Sequence, residues 1–274
     1  MKPIATVIIP TFNRQELTVR AIKSVINCDG SKNVEIIVID DCSEHPFSTT
    51  VLRPIDSIYR NETNMGANKC RSIGLLKAKG EIIYLLDSDD YLVWKDFEAD
   101  YKIVKDSNTL FYCAHDYGFP YSIKKLPIEI KKEFYFDYIF HLYPGIANTC
   151  CLCFPSNLNL TFDSTLTQHQ DWDFVNSALN KNIAVKKIEG FVYIDRTDKK
   201  SLGRKKNYKK PLPWIEKLKK EENKDTFKYV NFCILCKYTE HMSFFVFLKQ
   251  SIMYLLKNKI SLIFVCKRFI QRYL

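Results

Sequence analysis

The N-terminal half of the chain alternates short apolar runs with stretches of helical spacing. Ile4 to Ile9 is apolar and β-branched and stops at Pro10, and Val34 to Ile39 is a second such run that stops at Asp40-Asp41. A third run, within 81–86, holds Ile82, Ile83, Leu85 and Leu86. Unbroken apolar runs of this length read as strands buried on both faces, the habit of parallel sheets. Between the first two, Leu17, Ala21, Ile22, Val25 and Ile26 recur at helical intervals and predict a helix over 15–27. A further helix is expected over 66–78 with Gly80 as its C-terminal stop, and another begins near Trp94. Residues 109–117 read as a strand, and Phe174, Val175, Ala178 and Leu179 as one face of a helix.

Strand, helix, strand, helix, strand with short connections predicts an open α/β sheet, in which ligands bind beyond the carboxyl ends of the strands. Three such ends carry polar clusters: Pro10-Thr11-Phe12-Asn13-Arg14, Asp40-Asp41-Cys42-Ser43 and Asp87-Ser88-Asp89-Asp90. Their convergence on one crevice predicts a nucleotide site. In the last cluster Asp87, Asp89 and Asp90 repel one another. Mg²⁺ or Mn²⁺, completed by substrate phosphates, relieves that repulsion; the alternative is a solvated acidic turn capping the next helix.

These motifs, in this order, resemble the family-2 inverting glycosyltransferases of the GT-A fold: Val7 to Arg14, Glu35 to Ser43, Asn64-Met65-Gly66 with Arg71, and Leu86 to Asp90. The resemblance covers about 1–200. It implies a nucleotide-diphosphate-sugar donor, a divalent metal and inversion at the anomeric carbon. By the same resemblance Pro10, Thr11 and Phe12 line the base pocket, with the Phe12 ring against the pyrimidine and Arg14 among the donor-binding residues. Asp41 accepts from a base N–H, and Asn64, Gly66 and Arg71 lie beside base and diphosphate. For Arg71 the alternative is a surface arginine on a helix, and for Asp40-Asp41 it is a cap on the following turn. Asp87, Ser88 and Asp89 match the segment touching ribose and metal, with Asp90 adjacent, and spacing leaves open which acid bonds the ion.

A later segment, Phe162-Asp163 followed by Gln168-His169-Gln170-Asp171-Trp172-Asp173, resembles the family's acceptor-side motif and places Asp171 as general base. Carboxylates at a helix start are suited to take a proton from an acceptor hydroxyl, or merely to cap the helix. Gln170 stands where the family often has an acid, and Asp198 stands where relatives often carry a His that reaches the metal, so Asp198 is a further candidate ligand. Residues 146–154 resemble the family's strand at the acceptor side, and Asn148, Thr149, Gln170 and Trp172 are candidate acceptor contacts. The aromatic-rich stretch 118–145 reads chiefly as core, with sugar-ring contacts as the alternative.

The 274 residues suit a catalytic domain over 1–205, divided into a nucleotide-sugar half (1–110) and an acceptor half (111–205), followed by a basic helical region over 206–274. The fold class expected is therefore α/β, a GT-A, Rossmann-like mixed open sheet with a C-terminal helical appendage. The 10 cysteines show no zinc spacing and read as reduced, buried thiols. The net charge of +10 concentrates late: from Phe244 onward there are six Lys or Arg residues among apolar ones and no acid. No apolar run reaches the roughly 20 residues that span a bilayer, so two short amphipathic helices on an anionic membrane surface are expected, a packed helical pair being the alternative. Met1-Lys2-Pro3 leads directly into the first strand, which predicts no signal peptide and a cytoplasmic protein, peripheral at the inner face of the membrane. No nucleic-acid module is present, and the acidic crevice would repel a phosphate backbone.

The expected activity is transfer of a hexosyl or N-acetylhexosaminyl group, most simply from a UDP-sugar, to a hydroxyl of a glycan or lipid-linked glycan in surface polysaccharide or lipopolysaccharide synthesis. The alternatives are a nucleotidyltransferase, which would show a Gly-rich basic phosphate loop near the N-terminus, and a non-catalytic nucleotide- or glycan-binding scaffold.

Overall fold

Every residue of β1 (Ala5–Thr11) and β2 (Val34–Asp40) is buried, as two-sided burial of a parallel pair requires. They belong to a computed structural model that describes residues 2–94, 97–116, 126–142, 146, 148–194, 210–238, 248–249, 251–253 and 256. The other strands are β3 (Ser57–Arg60), β4 (Ile82–Leu85), β5 (Tyr91–Val93), β6 (Thr109–Asp116), β7 (Leu152–Pro155) and β8 (Ala184–Tyr193). Together they form one eight-stranded sheet in the order β3-β2-β1-β4-β7-β6-β8-β5. The first four run parallel, β7 is antiparallel to both β4 and β6, β8 is parallel to β6, and β5 is antiparallel to β8.

That order places the chemistry. Thr11 pairs with Asp40 and Ile8 with Leu85, so β1, β2 and β4 release their polar clusters at the same edge of the sheet. Because β7 runs against β4, with Tyr84 opposite Cys153, it is the N-terminal side of β7 that reaches this edge. Residues Thr149–Cys151, a single 3-10 turn before β7, are thereby delivered beside Asp87–Asp90.

Helix α1 (Gln15–Ile26) buries Ala21, Ile22 and Val25 of the expected face together with Thr18, an i, i+3, i+4, i+7 set, while Leu17 and Ile26 are half-buried. Helix α2 (Ala67–Lys77) buries Asn68, Cys70, Arg71 and Gly74, a polar face with weak apolar periodicity. Gly74 has no room for a side chain, since a Cβ there would lie 2.3 Å from Ile8 Cγ2. Gly80 is not a left-handed helix stop: α2 ends at Ala78 in extended conformation, and a Cβ on Gly80 would lie 2.3 Å from the Ala5 carbonyl carbon. The glycine there permits the chain entering β4 to lie against β1. Helices α3 (Phe97–Val104) and α5 (Gln170–Asn180) occupy the expected places, with α5 beginning at Gln170, ahead of the apolar face that announced it. The strand expected over 146–154 shortens to Leu152–Pro155.

The chain forms two compact units. The first, residues 1–132, 146–164 and 170–201, holds the sheet. The second joins 133–145 and 165–169 to 202–274, so the aromatic-rich stretch 118–145 is divided, its part from Glu133 onward grouping with the C-terminal helices. Within it are a single turn α4 (Tyr135–Asp137), α6 (Leu212–Glu221) and α7 (Lys224–Tyr238). Its core includes Tyr135, Trp214, Leu218, Val230 and Phe232, and the Tyr229 hydroxyl donates to Asp137 at 2.5 Å. Among the described residues no helix is long and apolar enough to cross a membrane.

Candidate active site

The loops leaving β1 and β2 are tied together. Asn13 and Cys42 both adopt positive φ, and Asn13 exchanges two bonds with the other loop: its N–H donates to Ser43 Oγ at 2.9 Å and its Oδ1 accepts from Glu44 N–H at 2.8 Å. Asp40, fully buried, accepts from the N–H groups of Ser43 and Phe47 at 2.9 and 3.0 Å and from Arg60 Nη1 at 2.5 Å. Burial alone would raise the Asp40 pKa, but these hydrogen bonds outweigh it and hold the carboxyl below its ordinary value. Asp40 therefore caps its own loop.

Asp41 organises the approach to α2. Its Oδ1 accepts from Asn61 Nδ2 and Met65 N–H, both at 2.8 Å, and its Oδ2 accepts from Gly66 N–H at 2.7 Å. Gly66, the residue before α2, sits at φ +85°, a conformation that side-chain-bearing residues rarely adopt. Asn64 donates to the Asp41 carbonyl at 3.3 Å. Around this polar anchor two apolar side chains stay out in solvent, Phe12 and Met65, each 44% exposed. Pro10 and Thr11 are buried, and Thr11 shares a 2.6 Å hydrogen bond with Thr18.

Arg71 is not a surface arginine. It is 5% exposed, its Nη2 bonds Asp87 Oδ1, and its guanidinium lies 5.9 Å from the centre of the Phe162 ring. Burial opposes its charge, yet Asp87 first, and further neighbours that include Asp171, hold its pKa above the ordinary value. Phe162 in turn stacks on Phe174 of α5 at 4.3 Å and 23°. Through this contact the start of α5, where Asp171 and Asp173 stand in the first turn, is fixed near α2. Asp171 Oδ1 accepts from Trp172 N–H at 3.0 Å. Gln170 is half-buried and Trp172 buried.

The acids of 87–90 divide. Asp89 pairs with Arg14 at 2.9 Å, and its carbonyl accepts from Arg20, whose guanidinium lies over Tyr91. Asp87 and Asp90 instead converge with Cys150, their ligand atoms all within 4.8 Å of one another. Cys150, 4% exposed, hydrogen-bonds Asp90, and its Sγ is 3.8 Å from that of Cys151. The bond with Cys151 lowers its pKa, but burial and the charges of Asp90 and Asp87 push the thiol well above its ordinary range. Two carboxylates and a sulfur at this spacing form a donor set that fits a divalent ion. Ser88 is buried in the turn between the acids. Asn148 and Thr149 sit at the start of the same 3-10 turn as Cys150. Asp198 lies outside the described residues.

Three participants carry no signal that sequence reasoning can use. Cys150 reads only as part of a buried apolar run, because the antiparallel pairing of β7 that brings it to the acids has no sequence signature. Arg60 and Asn61, which lock Asp40 and Asp41, end a strand whose alternating exposure leaves no apolar run to mark it.

A family model for glycosyl transferase family 2 matches residues 6–157, more than half of the chain. Among curated relatives, a protein of Escherichia coli K12 named for glycosyl transfer in colanic acid biosynthesis, WcaA, is 39% identical over 93 residues, 32% of this chain and 33% of that one. The Campylobacter jejuni GalNAc(5)-diNAcBac-PP-undecaprenol beta-1,3-glucosyltransferase is 41% identical over 97 residues, 33% of this chain and 31% of that one. The matched part thus spans about a third of either relative. Among solved structures, S. aureus TarS 1–349 in complex with UDP-GlcNAc superposes with a TM-score of 0.62 at 18% identity, covering 86% of this chain and 72% of that one. The fold is that of GT-A glycosyltransferases, and the chain belongs to glycosyl transferase family 2.

Proposed function

We propose that the protein moves a sugar, with inversion, from a UDP-sugar to a hydroxyl of a glycan or lipid-linked glycan in surface polysaccharide synthesis. The observation that carries this reading is the assembly of Asp87, Asp90, Arg71 and the start of α5 at the carboxyl edge of the sheet. Phe12, next in sequence to Thr11 whose carbonyl accepts from Asp41 N–H, and Met65, whose N–H donates to Asp41, are exposed and offer apolar faces to a base, and the Arg71 guanidinium offers charge to a diphosphate. Asp171, in the first turn of α5, takes the acceptor hydroxyl proton as the oxygen attacks the anomeric carbon from the face opposite the leaving UDP. A divalent ion held by Asp87 and Asp90 would supply positive charge against the departing diphosphate.

The Campylobacter jejuni relative is named for action on an undecaprenol-linked glycan, which supports a lipid-linked acceptor here. So does the C-terminal segment. Leu248, Ile252, Met253 and Leu256 recur at i, i+4, i+5 and i+8 and are all exposed, beside a sequence rich in Lys and Arg. An apolar helix face flanked by cations suits the headgroup region of an anionic membrane, at the cytoplasmic surface.

The test is a thermal-shift screen of nucleotide sugars with and without Mn²⁺, followed by transfer assays of wild type and Asp171→Asn. Donor binding should raise stability. The variant should keep that shift and lose about 10²- to 10⁴-fold in transfer rate. Transfer by Asp171→Asn at the wild-type rate would remove Asp171 from the chemistry. Silence of the wild type with every donor and membrane acceptor would favour a binding scaffold.

A further inference from the structure

Resting on the donor-site reading above, we infer that Cys150 is an inner ligand of the metal site and makes that site selective for ions that accept sulfur. Three features carry the inference. The Cys150 Sγ and the carboxylate oxygens of Asp87 and Asp90 lie within 4.8 Å of one another, the spacing at which three ligands can share one ion. Cys150 is buried in a 3-10 turn, hydrogen-bonds Asp90 and has the Cys151 sulfur 3.8 Å away, so its sulfur already faces the acids. And the site calls for a charged ligand beyond its own residues: the buried Arg71 Nε has no hydrogen-bond partner although Nη2 of the same group sits on Asp87. An orphan buried donor of this kind marks the place of an acceptor supplied from outside, such as the phosphate that accompanies the ion.

The consequence is chemical selectivity. Mg²⁺ prefers an all-oxygen shell, whereas Mn²⁺, Co²⁺ and Zn²⁺ accept sulfur in increasing measure. When such an ion binds, the Sγ–H bond breaks, the proton passes to solvent and the sulfur lone pair forms the bond to the metal. A site of carboxylates alone would rank these ions differently from a site that adds a thiolate.

Cobalt(II) reports the bond directly, because a thiolate ligand gives a sulfur-to-cobalt charge-transfer band in the near ultraviolet. The full-length protein is titrated with Co²⁺ and with Mg²⁺ by calorimetry and absorption, alongside Cys150→Ser and, as a control for the other thiols, Cys28→Ser, which lies just after α1. The band should appear with one bound Co²⁺, persist in Cys28→Ser and vanish in Cys150→Ser. The ratio of Co²⁺ to Mg²⁺ affinity should fall about tenfold or more in Cys150→Ser. Should that variant fold poorly, X-ray absorption at the zinc edge of the wild type gives the same answer, with one sulfur at about 2.3 Å among oxygens expected. One ion bound without the band, a band that survives Cys150→Ser, an all-oxygen shell, or no ion bound at all overturns the inference. UDP binding, measured in chelator and in Mg²⁺, separates this from the functional reading: UDP retained with no sulfur signature sinks only the cysteine, whereas a sulfur signature with no nucleotide binding sinks only the donor site.

Discussion

Replacing Arg71 with Met isolates what the guanidinium does for the acids around it. Arg71 is almost wholly buried and bonds Asp87, whose side chain is 31% exposed. Breaking a buried ion pair by removing one partner costs about 3–5 kcal/mol. Water reaches part of Asp87, so a loss of about 2–3 kcal/mol is expected, and the apolar Met stem retains most of the packing against Phe162. That loss should carry a signature. With the guanidinium gone, Asp87 faces Asp90 with no cation beside it, and a divalent ion there relieves more repulsion than in the wild type. If Mn²⁺ binds tenfold more tightly as a result, saturating Mn²⁺ returns about 1.4 kcal/mol of the deficit. The assay is urea unfolding of both proteins at pH 7 with chelator and with Mn²⁺, read as a midpoint change at constant slope. An equal stability gap with and without the ion, or an Arg71→Met protein as stable as the wild type in chelator, refutes the argument that arginine and metal neutralise the same carboxylate.

Gly80→Ala should destabilise by about 1–3 kcal/mol or more, since its Cβ would meet backbone of β1 that cannot step aside; thermal melting checks it, and a neutral result would mean the two segments are less closely packed than 2.3 Å implies. Asp40→Asn tests the depressed pKa: a carboxyl whose folded pKa lies below its unfolded value of about 3.9 contributes stability above that pH and loses it as pH falls through the folded value. The stability gap between wild type and Asp40→Asn should therefore be widest near neutrality and narrow below about pH 4, and a gap independent of pH would contradict the assignment. Asp41→Ala strands the N–H groups of Met65 and Gly66 and leaves the Asn61 amide only its bond to Cys70 Sγ, which should cost about 2–4 kcal/mol and abolish UDP binding, while calorimetry still shows Co²⁺ bound at Asp87 and Asp90.

β1, β2 and β4 were legible because burial on both faces leaves an unbroken apolar run, and the strands expected over 109–117 and 146–154 hold β6 and the shorter β7. Three strands were not legible: β8 carries Lys186, Lys187 and Glu189 within its span, β5 has three residues and β3 alternates between half-buried and exposed, so none shows the continuous pattern. The site was legible at the level of acids but not of their partners. Asp87, Asp90 and Asp171 stand out as carboxylates at strand and helix ends, while the residue that joins the first two is a cysteine whose neighbours in sequence are apolar. Spacing likewise leaves Arg71 with even standing as surface or site, because α2 lacks an apolar face to orient it; its buried face is polar.

The pairing of charges explains how acids can stand so close together at a sheet edge. Three of the crowded carboxylates are met by an arginine from a different element: Asp40 by Arg60 at the end of β3, Asp87 by Arg71 of α2, and Asp89 by Arg14 just before α1. Asp40 already has backbone donors, so Arg60 adds to a closed structural cap, and nothing is gained by exchanging it. Asp87 is different. Its partner keeps an unsatisfied Nε and its own side chain remains partly open to solvent, so this pair has both an orphan donor and an accessible acceptor. On the reading proposed above, Asp87 and Asp90 would hold a divalent ion that offsets their charge, and the free Arg71 donor would be available to a phosphate of the nucleotide. One arginine against two carboxylates lowers the repulsion that the sequence alone would suggest without cancelling it, and the residual negative charge of Asp87 and Asp90 is what a divalent ion would offset.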